Sequence, residues 1–132
     1  MGIDIRVIYG DTDQMGIVYY ANYLRYFEAA RGAYLRERGR SYSEIEALGV
    51  ALPVVEAHAQ YRAPARYDEL IRVQATVTEV RAASLRFAYR VTRDAKLLVE
   101  GMTVHACVDK GGRPVRFPDA VLTLLGEGRE HG

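Results

Sequence analysis

The chain has 132 residues, about half of them hydrophobic and 27% charged, which suits one soluble domain with one core. A formal net charge of +1 implies no general polyanion-binding surface, so nucleic acid is not an expected partner. The single cysteine, Cys107, rules out an internal disulfide framework and any paired-cysteine metal site, and points to the cytoplasm.

Asp4 and Arg6 interrupt the apolar character of the first residues, so no secretion signal is expected, and no apolar run approaches the ~20 residues of a membrane span. Ile3, Ile5, Val7 and Tyr9 alternate with other residues and predict a first strand. Gly10 to Gly16 reads as a loop carrying Asp11 and Asp13, because Asp, Gly and Thr favour local turns.

The period then changes. Tyr20, Leu24, Phe27, Arg31, Tyr34 and Leu35 recur at helical spacing and predict a helix over 21–38. Asn22, the only asparagine, or the residue before it is the expected cap, and Gly39 the expected stop. Gly32 inside the helix implies a close helix–sheet approach. A second, short helix is expected over 41–49, with Ser43 as cap and Glu46 completing a capping box.

From Val55 onward the pattern is strands: 55–62, 71–78, 85–92 and 102–108, joined by breaks at Pro64–Asp68, Arg81–Ala83 and Asp94–Lys96. A terminal helix over 117–125 is expected, with residues 126–132 a frayed tail. The economical arrangement is α+β: one curved sheet, its last three strands an antiparallel meander, wrapped around one long helix in a single domain over 1–132. The strand near Val54–Tyr61 is the expected open edge. Pairing with a second copy across a two-fold axis would cover it.

The run D-T-D-x-x-G-I-V-Y-Y-x-N-Y from Asp11, with E-A-A-R ending at Arg31, resembles the signature of hotdog-fold thioesterases of the 4-hydroxybenzoyl-CoA thioesterase type and their relatives from bacterial Tol–Pal gene clusters. YRAPARYDEL and EVRAASLRF extend the likeness to about Val108. The resemblance implies a hotdog fold, a five-stranded antiparallel sheet around a central helix, with dimers joined edge to edge and paired into a homotetramer. It implies hydrolysis of an acyl-CoA substrate without metal or cofactor. It puts the catalytic carboxylate on Asp13 and the carbonyl-polarising backbone N–H at Tyr20. Gly16 lets the backbone approach the thioester. Arg81 and Ser84 are the implied contacts of the CoA nucleotide, with Arg86 a weaker candidate and Arg62 and Arg66 available if the nucleotide crosses between subunits. Tol–Pal relatives carry His where this chain has Tyr20, as the 4-hydroxybenzoyl-CoA type does, which puts this chain mechanistically closer to the latter.

The chemistry suits these residue types. A carboxylate can attack a thioester or serve as base for water, and a helix N-terminus offers free N–H groups to a carbonyl gaining negative charge. Asp11 is expected to hold the loop in shape, and Glu28 to be a helix-surface residue. His58, His105 and His131 have no metal-ligand spacing. Two rivals stand beside hydrolysis. One is a hotdog hydratase or dehydratase, which calls for a His–acid pair that the sequence does not put near Asp13. The other is a non-catalytic acyl-CoA binder.

Overall fold

The computed structural model describes residues 2–128. Nine elements follow in order: β1 (Gly2–Arg6), a 3-10 turn (Tyr9–Asp11), α1 (Asn22–Arg38), α2 (Tyr42–Glu46), β2 (Val54–Tyr61), β3 (Leu70–Val80), β4 (Ser84–Arg93), β5 (Lys96–Ala106) and α3 (Asp119–Gly128). The five strands form one sheet in the order β1-β3-β4-β5-β2, antiparallel throughout. The hairpins form from local chemistry. Asp94 and Ala95 both adopt positive φ, 50° and 70°, the two-residue turn whose twist matches that of the flanking strands.

Alternation fixes which face of the sheet is dry. Ile71, Val73, Ala75 and Val77 of β3 and Leu85, Phe87, Tyr89 and Val91 of β4 are all buried, on the face that carries α1. Phe27 of α1 stacks flat on Tyr89, with ring centroids 4.3 Å apart. Burying one such aromatic contributes about 1.5–3 kcal/mol. The expected close approach of helix to sheet exists, but Gly32 does not supply it. A Cβ at Gly32 would meet only Arg36 Nη1, at 3.5 Å. The intimate contact is at Gly101 of β5, where a Cβ would lie 2.5 Å from the Phe27 ring.

Several expected boundaries move. Strand β1 ends at Arg6, because Tyr9 turns out into solvent within the 3-10 turn. The buried stripe of α1 is Tyr23, Tyr26, Phe27, Ala30, Arg31 and Tyr34; Tyr20 and Leu24 are exposed. Asn22 does not cap α1. Ala21 holds the cap position without a side-chain bond, and Asn22 Nδ2 reaches back to the Asp11 carbonyl. Gly39 does stop the helix, at φ 121°, with its own N–H and that of Arg40 returning to Leu35 O. The capping box of α2 is Ser41 with Glu44, two residues before the expected pair, because Ser41 is the residue in extended backbone. Strand β5 begins at Lys96, since the tight turn continues the β4 ladder directly. Helix α3 runs through Gly128, so the expected fray at 126–128 is helix. The rest of that tail, with His131, lies outside the described residues.

Candidate active site

Strand β1 and α1 are joined by a folded loop, not a loose one. The Asp13 N–H donates to Ile17 O at 2.9 Å, and Thr12 bridges Val18. Asp13 Oδ1 accepts the Met15 N–H at 2.8 Å, closing an Asx turn. Gly16 sits at φ 79° with open space around it, so the turn itself demands glycine there. Val18 N–H donates to Ala65 O, which ties the loop to the segment leading into β3.

Asp11 is the hub of this arrangement and, with 7% exposure, it is buried. Its Oδ2 accepts the Tyr26 hydroxyl at 2.8 Å, and its Oδ1 pairs with Arg25 at 3.2 Å. Its carbonyl accepts both the Tyr19 N–H and Asn22 Nδ2. Burial and the bond to Asp11 push the Tyr26 phenol far above its ordinary range. The hub therefore fixes where α1 begins relative to Asp13.

The N–H groups of Asn22, Tyr23 and Leu24 close 3-10-type bonds to Tyr19, Tyr20 and Ala21. Those of Tyr20 and Ala21 donate to no acceptor among the described residues. They stand beside a cavity of about 270 Å³ walled by Ile17, Tyr20, Tyr23, Tyr61 and Pro64, with Arg62 among its lining. The Tyr61 hydroxyl donates to Tyr20 O at 3.3 Å and pins that peptide. Asp13 Oδ2 has no partner among the described residues. One loop thus carries, among the described residues, a carboxylate oxygen without a partner and two N–H groups without an acceptor, and its later residues Ile17, Val18 and Tyr20 line an apolar cavity.

The expected nucleotide contacts are elsewhere. Arg81 and Ser84 close the β3–β4 hairpin, where the Arg81 N–H donates to Ser84 O and the guanidinium pairs with Glu79 at 3.1 Å. The Asp13 loop adjoins the other end of the sheet, where Arg6 pairs with Leu70. The 11 residues of β3 run from one end to the other, roughly 33 Å. One chain does not bring Arg81 and Ser84 to Asp13. Arg86 is exposed on β4. Arg62, by the cavity, pairs with Glu100 at 3.2 Å, whereas the exposed Arg66 guanidinium has no partner among the described residues. His58 is exposed beside Glu56. Among the described residues no three His, Cys, Asp or Glu side chains are placed to hold a metal, and no helix is long and apolar enough to cross a membrane.

Sequence reading missed one feature. Arg31, on the buried face of α1, is 8% exposed and belongs to a polar chain running through the core. Its Nη1 donates to the Tyr89 hydroxyl, which meets Thr103 Oγ1 at 2.6 Å; Thr103 meets His105 Nε2 at 2.8 Å, and His105 Nδ1 meets Leu52 O at 2.9 Å. The available signal was an arginine at an apolar position of the helical period.

A five-stranded antiparallel sheet curved around one long helix, with a loop carboxylate at the helix N-terminus, is the hotdog fold of thioester-hydrolysing enzymes. The chain belongs to the thioesterase-like superfamily, whose family model matches residues 7–125. It is 38% identical to the acyl-CoA thioesterase YbgC of Haemophilus influenzae over 119 residues, 89% of this chain and 88% of that one. A hypothetical protein from Thermus thermophilus superposes with a TM-score of 0.92 at 41% identity, over 96% of this chain and 98% of the other. A 1,4-dihydroxy-2-naphthoyl-CoA thioesterase from Synechocystis superposes with a TM-score of 0.88 at 25% identity, covering 96% and 95%.

Proposed function

We propose that the protein hydrolyses acyl-CoA thioesters to a free acid and CoA, with Asp13 supplying the oxygen chemistry and the Tyr20 N–H receiving the carbonyl. The observation that carries this reading is the pairing of an unpaired Tyr20 N–H with the partnerless Asp13 Oδ2 in one loop. The thioester oxygen accepts from the Tyr20 N–H as it gains charge, and the positive end of α1 favours that charge. The carboxylate then attacks the carbonyl carbon, giving a mixed anhydride that water opens, or it takes a proton from the attacking water. In both routes the C–S bond breaks and CoA leaves as a thiol. Gly16 keeps the approach to the loop open. No metal or cofactor is required.

The assembly in this reading is a homodimer through β2, paired further into a homotetramer. Its support is the exposed β2 edge, where Val54 and Val55 are 44% and 61% exposed. Antiparallel pairing of β2 with its copy sets the Val54 end of one chain beside the Tyr61 end of the other. That carries one subunit's Arg81 and Ser84 toward the other's Asp13, and so gives them the role of CoA contacts that a single chain does not. The cytoplasm is the setting that fits one free thiol and a CoA ester substrate.

The test is a panel of acyl-CoAs with a thiol-detecting reagent. Release of free CoA is expected. Addition of water without thiol release would instead mark a hydratase, and tight binding without turnover a carrier.

A further inference from the structure

Resting on the hydrolase reading, we propose that Arg31 is a specificity residue that binds a carboxylate at the far end of the acyl group, so that the preferred substrates are CoA monothioesters of dicarboxylic acids. The site is a second cavity, of about 230 Å³, between α1 and the edge of the sheet. Leu24, Val54 and Ala57 give it apolar walls, while Glu28, Arg31 and Thr103 make its polar end.

The state of the Arg31 guanidinium is what points to an anion. An arginine only donates and the Leu52 carbonyl only accepts, and burial favours a neutral His105, so every proton in the chain between them is assigned. Arg31 donates to Tyr89, Tyr89 to Thr103, Thr103 to His105 Nε2, and His105 Nδ1–H to Leu52 O. Nε donates to the Tyr42 hydroxyl at 3.0 Å. These bonds occupy Nε and one N–H of Nη1 and hold the fork between α2 and β4. Nη2 makes no hydrogen bond among the described residues; its closest carboxylate among them is Glu28 at 4.0 Å, whose side chain is 73% exposed. A nine-tenths buried cation with unused N–H groups and only a solvated carboxylate near it is a poor structural ion pair and a ready receptor for one more carboxylate. Arg25, which also lines the cavity, is turned to Asp11 at 3.2 Å.

The cavity also lies in line with the reacting centre. Leu24 and Arg31 fall within about 20° of one another around α1 at 100° per residue, and Tyr20 stands in the turn two residues before its first residue. The eleven steps from Tyr20 to Arg31, nine of them in α1 and two in the turn before it, span about 16 Å, and the Arg side chain leans back toward the N-terminus by about one turn, leaving roughly 10 Å between the Tyr20 N–H and the guanidinium. Allowing a hydrogen bond at each end, that suits a chain of about six carbons. The methylenes lie on Leu24, Val54 and Ala57. In the reaction, water adds its oxygen to the thioester carbon, the C–S bond breaks, sulfur leaves as the CoA thiol, and the dicarboxylate departs with its distal carboxylate unchanged.

The experiment compares kcat/KM of the full chain for adipoyl-CoA and heptanoyl-CoA, acyl groups of similar length that differ in the terminal carboxylate. Wild type should favour adipoyl-CoA by roughly a hundredfold, the discrimination of a site whose buried donors are left unpaired by the wrong ligand. Arg31→Met should bring the ratio to about one. Arg31→Lys, which keeps the charge and loses the fork, should lower it about tenfold and serves where the methionine variant does not fold. A wild-type enzyme that hydrolyses heptanoyl-CoA as well as or better than adipoyl-CoA overturns the proposal and leaves the hydrolase reading standing. Thiol release from neither overturns the proposal, and thiol release from no acyl-CoA of the panel overturns the hydrolase reading as well.

Discussion

Replacing Asp11 tests whether the loop is held by its buried carboxylate. In Asp11→Ala the Tyr26 hydroxyl, on a residue 4% exposed, loses its acceptor at 2.8 Å. An abandoned buried hydroxyl costs about 1–3 kcal/mol. Loss of the Arg25 pair adds less than about 1 kcal/mol, because Arg25 is 69% exposed. The main-chain bonds to the Asp11 carbonyl survive the substitution. The sum is about 1–4 kcal/mol, and for a chain of this length that lowers Tm by about 4–14 °C. Tyr26→Phe alone should cost less, and the double variant should show a coupling energy of about 1–2 kcal/mol. The assay is thermal unfolding by circular dichroism at one fixed protein concentration. An Asp11→Ala variant within about 2 °C of wild type, and additive with Tyr26→Phe, would refute the hub.

Two glycines should respond with opposite signs. Gly101→Ala drives a methyl to 2.5 Å from the Phe27 ring and should cost about 3 kcal/mol in denaturant unfolding, whereas Gly32→Ala, with its nearest neighbour at 3.5 Å, should gain about 0.5–1 kcal/mol. A neutral Gly101→Ala would mean the helix does not press on β5 there. The buried His105 gives a pH signature. Burial holds its imidazole below the ordinary 6.5, the bond to Leu52 O opposing and the nearby Arg31 charge adding. The unfolded chain takes up a proton as pH falls through 6.5 while the folded chain does not, so stability contributed above that pH is lost below it, with a slope approaching about 1.4 kcal/mol per pH unit. Urea unfolding between pH 7 and 5 should show this slope, and His105→Gln should lessen it; equal slopes in the two proteins would contradict the assignment.

The sheet was legible because strands β3 and β4 alternate over their whole length and the dry face can be read directly. The loop was legible because Asp11, Asp13 and Gly16 have no other economical use before a helix. What stayed hidden depended on where the chain turns in space. Tyr20 and Leu24 fit the helical period, yet both are exposed: Tyr20 stands in the turn before α1, and Leu24 faces the cavity beside β2, the edge strand. Gly32 and Gly101 are indistinguishable as letters; only the Phe27 ring above β5 decides which one the packing needs. The Arg31 chain joins α1, β4, β5 and the segment before β2, and no local pattern carries a contact of that kind. Arg81 and Ser84 are separated from Asp13 by the length of β3, a distance that no motif encodes.

The central claim is that Asp13 carries the oxygen chemistry beside the Tyr20 N–H. Steady-state turnover of Asp13→Asn on the best acyl-CoA of the panel tests it most directly, with circular dichroism to verify the fold. The Asx turn to Met15 survives, since an amide oxygen still accepts that N–H. Turnover should fall by about a hundredfold or more. A folded variant that keeps more than about a tenth of wild-type turnover would contradict the claim.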